Sequence, residues 1–91
     1  MDTLPNITVG ENQVIDLYTA TGIPVGTQIN VEMIGNGVSR LYSGASLSGA
    51  PDNTTGYRSL ETGEDYTNDT GDAGAFIWSA NGCVVNVKEV V

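Results

Sequence analysis

The feature that most constrains the fold is the stretch of residues 75–88, where two runs of aromatic and β-branched residues flank one Asn-Gly dipeptide, Asn81-Gly82. Asn and Gly both tolerate the positive φ that a two-residue type I′ hairpin turn requires. Because strand side chains alternate between faces, the register of such a hairpin can be written down. It places three cross-strand pairs on one face: Ala80 with Cys83, Trp78 with Val85, and Phe76 with Val87. The pattern predicts a terminal hairpin whose Trp78 face forms the floor of the core, with Ile77 on the other face.

The rest of the chain is divided into short pieces by twelve glycines and three prolines. Short alternating runs recur, each followed by Gly, Asn, Asp or Pro, and no window repeats its apolar residues at helical spacing for three turns. This is the pattern of an all-β sandwich or barrel. We therefore predict one domain, residues 1–91, built as a small antiparallel β-sandwich or barrel of about six to eight short strands. Residues 1–12 are predicted to form an extended or flexible N-terminal arm.

Alternation and turn residues place the individual strands. Besides the terminal hairpin, strands are predicted at residues 7–9, 13–20, 28–34, 38–43, 57–60 and 65–67. The third and fourth of these are predicted to pair through the three residues 35–37, because that register sets charge against charge and apolar against apolar. The side chains expected to point into the core are Ile15, Leu17, Ile29, Val31 and Met33. The expected cross-strand pairs are Glu32–Arg40 and Val31–Leu41.

Composition excludes several classes of function. Eleven acidic residues and three basic ones give a formal net charge of −8, so the surface repels nucleic acid and anionic lipid. The chain has no histidine and one cysteine, Cys83, which rules out an intrachain disulfide and every mechanism with a histidine base. No apolar run approaches the roughly 20 residues of a membrane span, and the first residues lack the pattern of a secretory signal. We expect a protein made in the cytoplasm, with neither enzymatic activity nor a cofactor.

An acidic stretch lies in the second half of the chain. Five carboxylates fall within residues 61–72: Glu61, Glu64, Asp65, Asp69 and Asp72. Such a cluster is compatible with a calcium loop, a solvated edge or a contact surface for a basic partner. The spacing does not match a calcium loop, because Thr67 stands where a second acid belongs and Gly71 falls one position late. We favour a solvated edge, and we predict no catalytic or metal-binding residue.

Aromatic side chains provide the candidate contact residues. Tyr18 and Tyr42 fall on strand faces opposite the assigned core, in line with Val14, Ile34 and Val38. Two interpretations remain open for this strip: a partly exposed interface with a subunit or partner, or a second layer of core. The loop predicted at residues 44–55 contains one large apolar residue, Leu47. Because loops of this length are often functional, Leu47 is added to the candidate contact residues. The predicted partner or subunit contacts are Tyr18, Arg40, Tyr42 and Leu47.

The order of segments resembles a known group of proteins. A short opening segment is followed by the strand Val14-Ile15-Asp16-Leu17-Tyr18 and by a strand-loop-strand unit at residues 29–42. Then come Gly-Tyr-Arg-Ser-Leu-Glu-Thr-Gly-Glu at residues 56–64 and the terminal hairpin with its tryptophan. Most of the chain is similar in this respect to the small all-β auxiliary and decoration proteins of the heads of tailed bacteriophages.

This resemblance implies a role in the virion. The expected protein is a non-enzymatic capsid decoration protein, made late in the host cytoplasm, that binds and stabilises the outer shell. Its expected partners are the major capsid protein or another virion protein, together with further copies of itself, a trimer being favoured. The alternative is a β-sandwich module on a fibre or tail that binds glycan or a host receptor through the loop at residues 44–55 or through the acidic stretch.

Overall fold

The structure is a computed structural model that describes residues 4–35, 37–51 and 56–90. This part of the chain forms eight strands and one five-residue helix. The strands are β1 (Ile7–Val9), β2 (Gln13–Asp16), β3 (Ile29–Gly35), β4 (Val38–Ser43), β5 (Arg58–Glu61), β6 (Asp65–Thr67), β7 (Ala75–Ser79) and β8 (Cys83–Glu89). The helix, α1, is Leu17–Thr21.

The strands form two four-stranded sheets in which every neighbouring pair is antiparallel. Sheet A has the order β1-β8-β3-β6, and sheet B has the order β2-β7-β4-β5. Buried apolar residues from both sheets form one cluster between them. The predicted all-β antiparallel sandwich is therefore confirmed, and its strand order is that of an eight-stranded jelly roll.

Both predicted hairpins are wrong, because consecutive strands face each other across the sandwich instead of sharing a sheet. In the part of the chain that is described, β4 and β5 are the one consecutive pair that is hydrogen-bonded in a sheet. Strand β7 lies between β2 and β4, whereas β8 lies between β1 and β3. The Asn81-Gly82 connection thus crosses the gap of about 10 Å that separates packed sheets.

The predicted pairing of β3 with β4 fails for the same reason. Val31 lies opposite Val87 on one side and Tyr66 on the other, both in sheet A. Leu41 lies opposite Ile77 in sheet B. The charge pair expected between Glu32 and Arg40 is absent because the two residues belong to different sheets. Asn36, in the predicted loop, lies outside the described residues.

The face assignment of the last two strands is half right. Val85 and Val87 point into the core and are 0 % exposed, as predicted. On β7 the alternation is the reverse of the prediction, since Ile77 is a core residue at 0 % exposure. Phe76 and Trp78 therefore project from the outer side of sheet B, where other residues cover them. The error follows from the false hairpin, which forced both strands to share one inner face.

Strand β2 is shorter than predicted because its last residue begins a helix. Oδ1 of Asp16 accepts hydrogen bonds from the backbone N–H groups of Tyr18 and Thr19, at 3.1 and 3.2 Å, which is the N-cap arrangement. Gly22 ends the helix with φ of 76° and donates its N–H to the Tyr18 carbonyl. Leu17 is buried as predicted, but it reaches the core from α1.

The remaining core predictions hold in sheet A. Ile29, Val31 and Met33 all point inward and are at most 1 % exposed. The described part of the predicted N-terminal arm contacts the body: β1 pairs with β8, Leu4 packs against the core, and the Leu4 carbonyl accepts a hydrogen bond from the side-chain amide of Asn86 at 2.9 Å. Residues 1–3 lie outside the described part of the chain.

Candidate functional site

The outer face of sheet A is largely polar. Its polar residues are Thr8, Asn30, Glu32, Asp65, Thr67, Asn86 and Lys88, and its apolar ones are Val84 and Ile34, the latter 43 % exposed. Nδ2 of Asn30 donates to Asp65 at 2.8 Å and to Thr67 at 2.9 Å, across the β3–β6 pair. Glu32 lies directly opposite Asp65, a placement of like charges that costs stability in a sheet. This face is dominated by hydrogen-bonding and acidic groups.

The outer face of sheet B is different, because two cross-strand rows of large side chains cover its centre. The first row is Val14, Trp78, Arg40 and Ser59, and the second is Asp16, Phe76 and Tyr42. Val38 precedes both rows on β4 and is 49 % exposed. We call the outward side chains of β2, β4 and β7 the sheet B face. Its members are Val14, Asp16, Val38, Arg40, Tyr42, Phe76 and Trp78.

Arg40 occupies the middle of the sheet B face. Its guanidinium carbon lies 4.6 Å from the centre of the Tyr57 ring and 5.2 Å from that of the Trp78 ring, within range of a cation–π interaction. Nη1 of Arg40 donates to the Pro51 carbonyl at 2.7 Å. The side chain thus joins β4, β7 and the segment that follows β4.

That segment, residues 44–51, is fixed to the sandwich at both ends. At its start the Gly44 N–H donates to the Gly74 carbonyl at 3.0 Å, and a Cβ atom at Gly74 would overlap the Gly44 carbonyl oxygen. At its end the Pro51 carbonyl accepts the hydrogen bond from Arg40. Phe76 and Trp78, at 8 % and 9 % exposure, are covered rings and not open platforms.

The covered rings are held by specific contacts. The indole Nε1 of Trp78 donates to Oδ1 of Asn12 at 3.1 Å. The rings of Tyr42 and Phe76 lie 6.5 Å apart between centres, at an interplanar angle of 35°, a distance at which aromatic pairs attract each other. The sheet B face is therefore a packed surface whose side chains are held by contacts within the chain.

The structure separates the four predicted contact residues. Tyr18 is 2 % exposed and belongs to the core, so of its two interpretations the buried one is correct. Its hydroxyl donates to the Thr27 carbonyl at 2.6 Å and accepts from Nδ2 of Asn68 at 2.9 Å. Arg40 and Tyr42 are half-buried and lie together on the sheet B face.

Leu47 is half-buried within the segment of residues 44–51. The role of these residues in contacting a partner stays a prediction. Trp78 and Tyr57 were not among the predicted contacts, although both stack on Arg40. Trp78 could have been found from the alternation of side chains along β7. Once Ile77 is assigned to the core, its neighbour Trp78 must face outward.

The acidic stretch is spread along an edge and a connection. Glu61 and Glu64 flank the β5–β6 turn, where Oε1 of Glu64 accepts from the Glu61 N–H at 2.7 Å. Asp69 and Asp72 lie in the β6–β7 connection, and Oδ2 of Asp72 accepts from the Asp69 N–H. Among the described residues, no three His, Cys, Asp or Glu side chains converge to hold a metal ion.

Cys83 points into the core from the first position of β8 and is 3 % exposed. Burial raises the pKa of its thiol, and a hydrogen bond with Ser79 opposes that rise. An open groove of about 340 Å³ runs beside it, between the β1–β2 and β7–β8 connections. The thiol is thus protonated and shielded at neutral pH, as expected of a structural cysteine.

Comparison with known proteins gives no relatives: no family model, no curated protein and no solved structure matches the chain. No helix among the described residues is long and apolar enough to cross a membrane.

Proposed function

We propose that this protein is a non-enzymatic structural protein of a virion, a capsid decoration protein that binds the outer surface of the shell and stabilises it. The observation that carries the proposal is the strand order, β1-β8-β3-β6 facing β2-β7-β4-β5. Jelly rolls of this kind recur in viral capsid and lectin domains. A fold does not dictate a function. The strand order supports the proposal by analogy, and the chemistry of the protein surface must agree with the same function.

Chemical asymmetry between the two outer faces supplies that match. Sheet A turns mainly hydrogen-bonding and acidic groups to solvent, with Ile34 43 % exposed among them. Sheet B exposes Val38 at 49 % beside half-buried Arg40 and Tyr42, above the covered rings of Phe76 and Trp78. Interfaces are enriched in aromatic side chains and arginine and depleted of other charges at their centre. A rigid block with one such face is suited to packing against other protein.

Shell stabilisation would follow from mass action. A protein that binds only the assembled lattice shifts the equilibrium toward it by RT ln(1 + [L]/Kd), which is about 2.7 kcal/mol at a hundredfold excess over Kd. The fixed side-chain contacts of the sheet B face reduce the entropy lost on binding, because Arg40 and Trp78 are already immobilised.

The test is co-sedimentation with empty shells of the phage whose genome encodes the protein. We expect saturable binding at a fixed number of copies per shell, with a higher melting temperature for the decorated shell. An unrelated acidic β-protein of similar net charge is the control for non-specific adsorption. Failure to bind the shell, together with binding to glycans or host cells, would replace the proposal with the fibre or tail module.

A further inference from the structure

We propose that Asn81 is a site of spontaneous covalent modification, at which the folded protein deamidates to aspartate and isoaspartate. Asn81 and Gly82 belong to the connection that joins β7 of sheet B to β8 of sheet A. The reaction needs water and no partner, so the site is independent of the proposed function.

The reaction is a cyclisation followed by a hydrolysis. Hydroxide takes the proton from the backbone nitrogen of Gly82, and this nitrogen attacks Cγ of Asn81. A bond from that nitrogen to Cγ forms, the bond from Cγ to Nδ2 breaks, and Nδ2 leaves as ammonia. Water then adds to either carbonyl of the resulting five-membered succinimide and opens it, to give aspartate or isoaspartate. The net change consumes one water and releases one ammonia, with no oxidation or reduction.

Two features single out Asn81 among the asparagines that the structure describes, which are Asn6, Asn12, Asn30, Asn68, Asn81 and Asn86. Asn81 is the one followed by glycine, whose missing side chain leaves the attacking nitrogen unshielded. The side chains of the other five all take part in hydrogen bonds. Within the described ranges, no hydrogen bond holds the side chain of Asn81, which is exposed.

The connection leaves both reacting groups accessible. Among the described residues, the Gly82 N–H donates to no backbone carbonyl, and no hydrogen bond from the Cys83 N–H to the Ala80 carbonyl closes the turn. Asn81 also lines the open groove of about 340 Å³ beside the β1–β2 connection, which admits water to the succinimide. The Asn81 side chain is therefore free to rotate toward the Gly82 nitrogen.

The fold itself retains the glycine that makes Asn81 reactive. Gly82 has φ of 86°, in the left-handed region that side chains disfavour. A Cβ atom at this position would lie 3.0 Å from the Val9 carbonyl oxygen. A larger residue at position 82, which would slow the cyclisation, is thus disfavoured by both the backbone and the contact with β1.

Modification at Asn81 has a structural consequence at the start of β8. Isoaspartate adds one carbon to the backbone immediately before Cys83, which is 3 % exposed and pairs with Val9. Either product adds one carboxylate to a chain of formal net charge −8, in the groove that Glu11 also lines. We expect the lengthened connection to open the first residues of β8 locally, which exposes the Cys83 thiol.

The first experiment incubates the folded full chain carrying Asn36→Gln, which removes the other Asn-Gly pair of the sequence, at mildly alkaline pH. Site-resolved mass spectrometry measures the conversion of each asparagine. We expect Asn81 to convert at least about tenfold faster than any other asparagine, a difference of about 1.4 kcal/mol in activation free energy. The rate at Asn81 in the folded chain should lie within about tenfold of its rate in urea.

The second experiment measures labelling of Cys83 by a thiol reagent in the converted fraction, separated by its added charge. Labelling should be at least about tenfold faster than in Asn81→Asp, the matched control with the same charge and an unlengthened backbone. Asn81→Gln keeps an amide but not the five-membered ring, so its labelling should not change on incubation. The melting temperature of each fresh variant checks its folding.

Conversion of Asn81 no faster than that of the other asparagines overturns the proposal. So does protection of Asn81 by more than about tenfold in the folded chain relative to urea, because the fold would then hold the side chain away from Gly82. A converted fraction whose Cys83 is labelled as slowly as in Asn81→Asp would overturn the predicted opening of β8.

Discussion

Trp78 and Asn12 are joined by a hydrogen bond of 3.1 Å from the indole Nε1 to Oδ1. Asn12 has φ of 58° and is the one non-glycine residue with positive φ in the described chain. Its backbone N–H also donates to the Ser79 carbonyl at 2.8 Å. A left-handed residue in the β1–β2 turn thus directs its side chain over β7 and fixes the largest ring of the sheet B face.

This relationship predicts a graded response at position 12. Asn12→Asp keeps an acceptor for the indole and should change the free energy of unfolding by less than about 0.5 kcal/mol. Asn12→Gly keeps the backbone conformation but loses the acceptor, and should cost about 1 kcal/mol. Asn12→Ala loses the acceptor and adds about 1 kcal/mol of left-handed strain. Urea melts measure the free energy of unfolding of the three variants. Equal losses of stability for Asn12→Gly and Asn12→Ala would contradict a role for the positive φ at this position.

The buried hydroxyl of Tyr18 yields a second prediction. Tyr18→Phe leaves the Thr27 carbonyl without this donor and Nδ2 of Asn68 without this acceptor. Because buried polar groups are then left without a hydrogen bond, the free energy of unfolding should fall by about 1–3 kcal/mol. Tyr42→Phe, on a half-buried ring of the sheet B face, is the matched control and should cost less than about 0.5 kcal/mol. Thermal or urea unfolding measures both, and equal effects would show that the hydroxyl network does not matter.

Arg40 should control the order of the segment at residues 44–51. Arg40→Ala removes the hydrogen bond to the Pro51 carbonyl and the stacking on Tyr57 and Trp78. We expect faster proteolysis and faster amide exchange in this segment, with the core strands unchanged, since a surface segment can open locally at a lower free energy than global unfolding requires. Arg40→Lys keeps the charge without the planar stack and should lie in between. A segment as protected in Arg40→Ala as in the wild type would contradict the anchoring.

Burial of Cys83 predicts both a reactivity and a pH dependence. Because burial raises the pKa of the thiol, the folded state holds this proton more tightly than the unfolded state does. The free energy of unfolding should therefore be unaffected near pH 7 and should fall as the pH passes the unfolded thiol pKa of about 8.5.

Cys83→Ala should remove that part of the pH dependence, which urea melts across this range would detect. In the native protein a thiol reagent should label Cys83 only as fast as the chain opens. Complete labelling within the mixing time at neutral pH would show that the side chain is exposed.

The sequence predicted where strands occur better than how they pair. Alternation located β3 with its inward Ile29, Val31 and Met33, because these side chains respond to one buried face whatever lies beside the strand. The Asn81-Gly82 turn predicts a chain reversal, but it cannot distinguish a hairpin within a sheet from a crossing between sheets. That choice depends on which distant strands, here β2, β4, β1 and β3, take the edges of β7 and β8.

The candidate site was partly predictable for the same reason. Tyr42 was assigned to the outward face by alternation along β4, and the structure places it there. Arg40 was placed through a pair with Glu32 that does not form. Tyr18 was assigned to the face opposite the core, with both an interface and a second core layer left open, because residues 13–20 were treated as one strand. Asp16 and Gly22, which flank the five residues of α1, are the capping signals that mark a short helix instead. Trp78 was missed because the false hairpin turned its side chain into the core.

The most direct test of the account is a cryo-EM reconstruction of shells saturated with the protein. The account predicts ordered density at fixed lattice positions on the outer surface, fitted by the two-sheet body, with the sheet B face around Val38 and Arg40 buried against other protein. Bare shells at saturating protein, or bound copies whose sheet B face is turned to solvent, would contradict it.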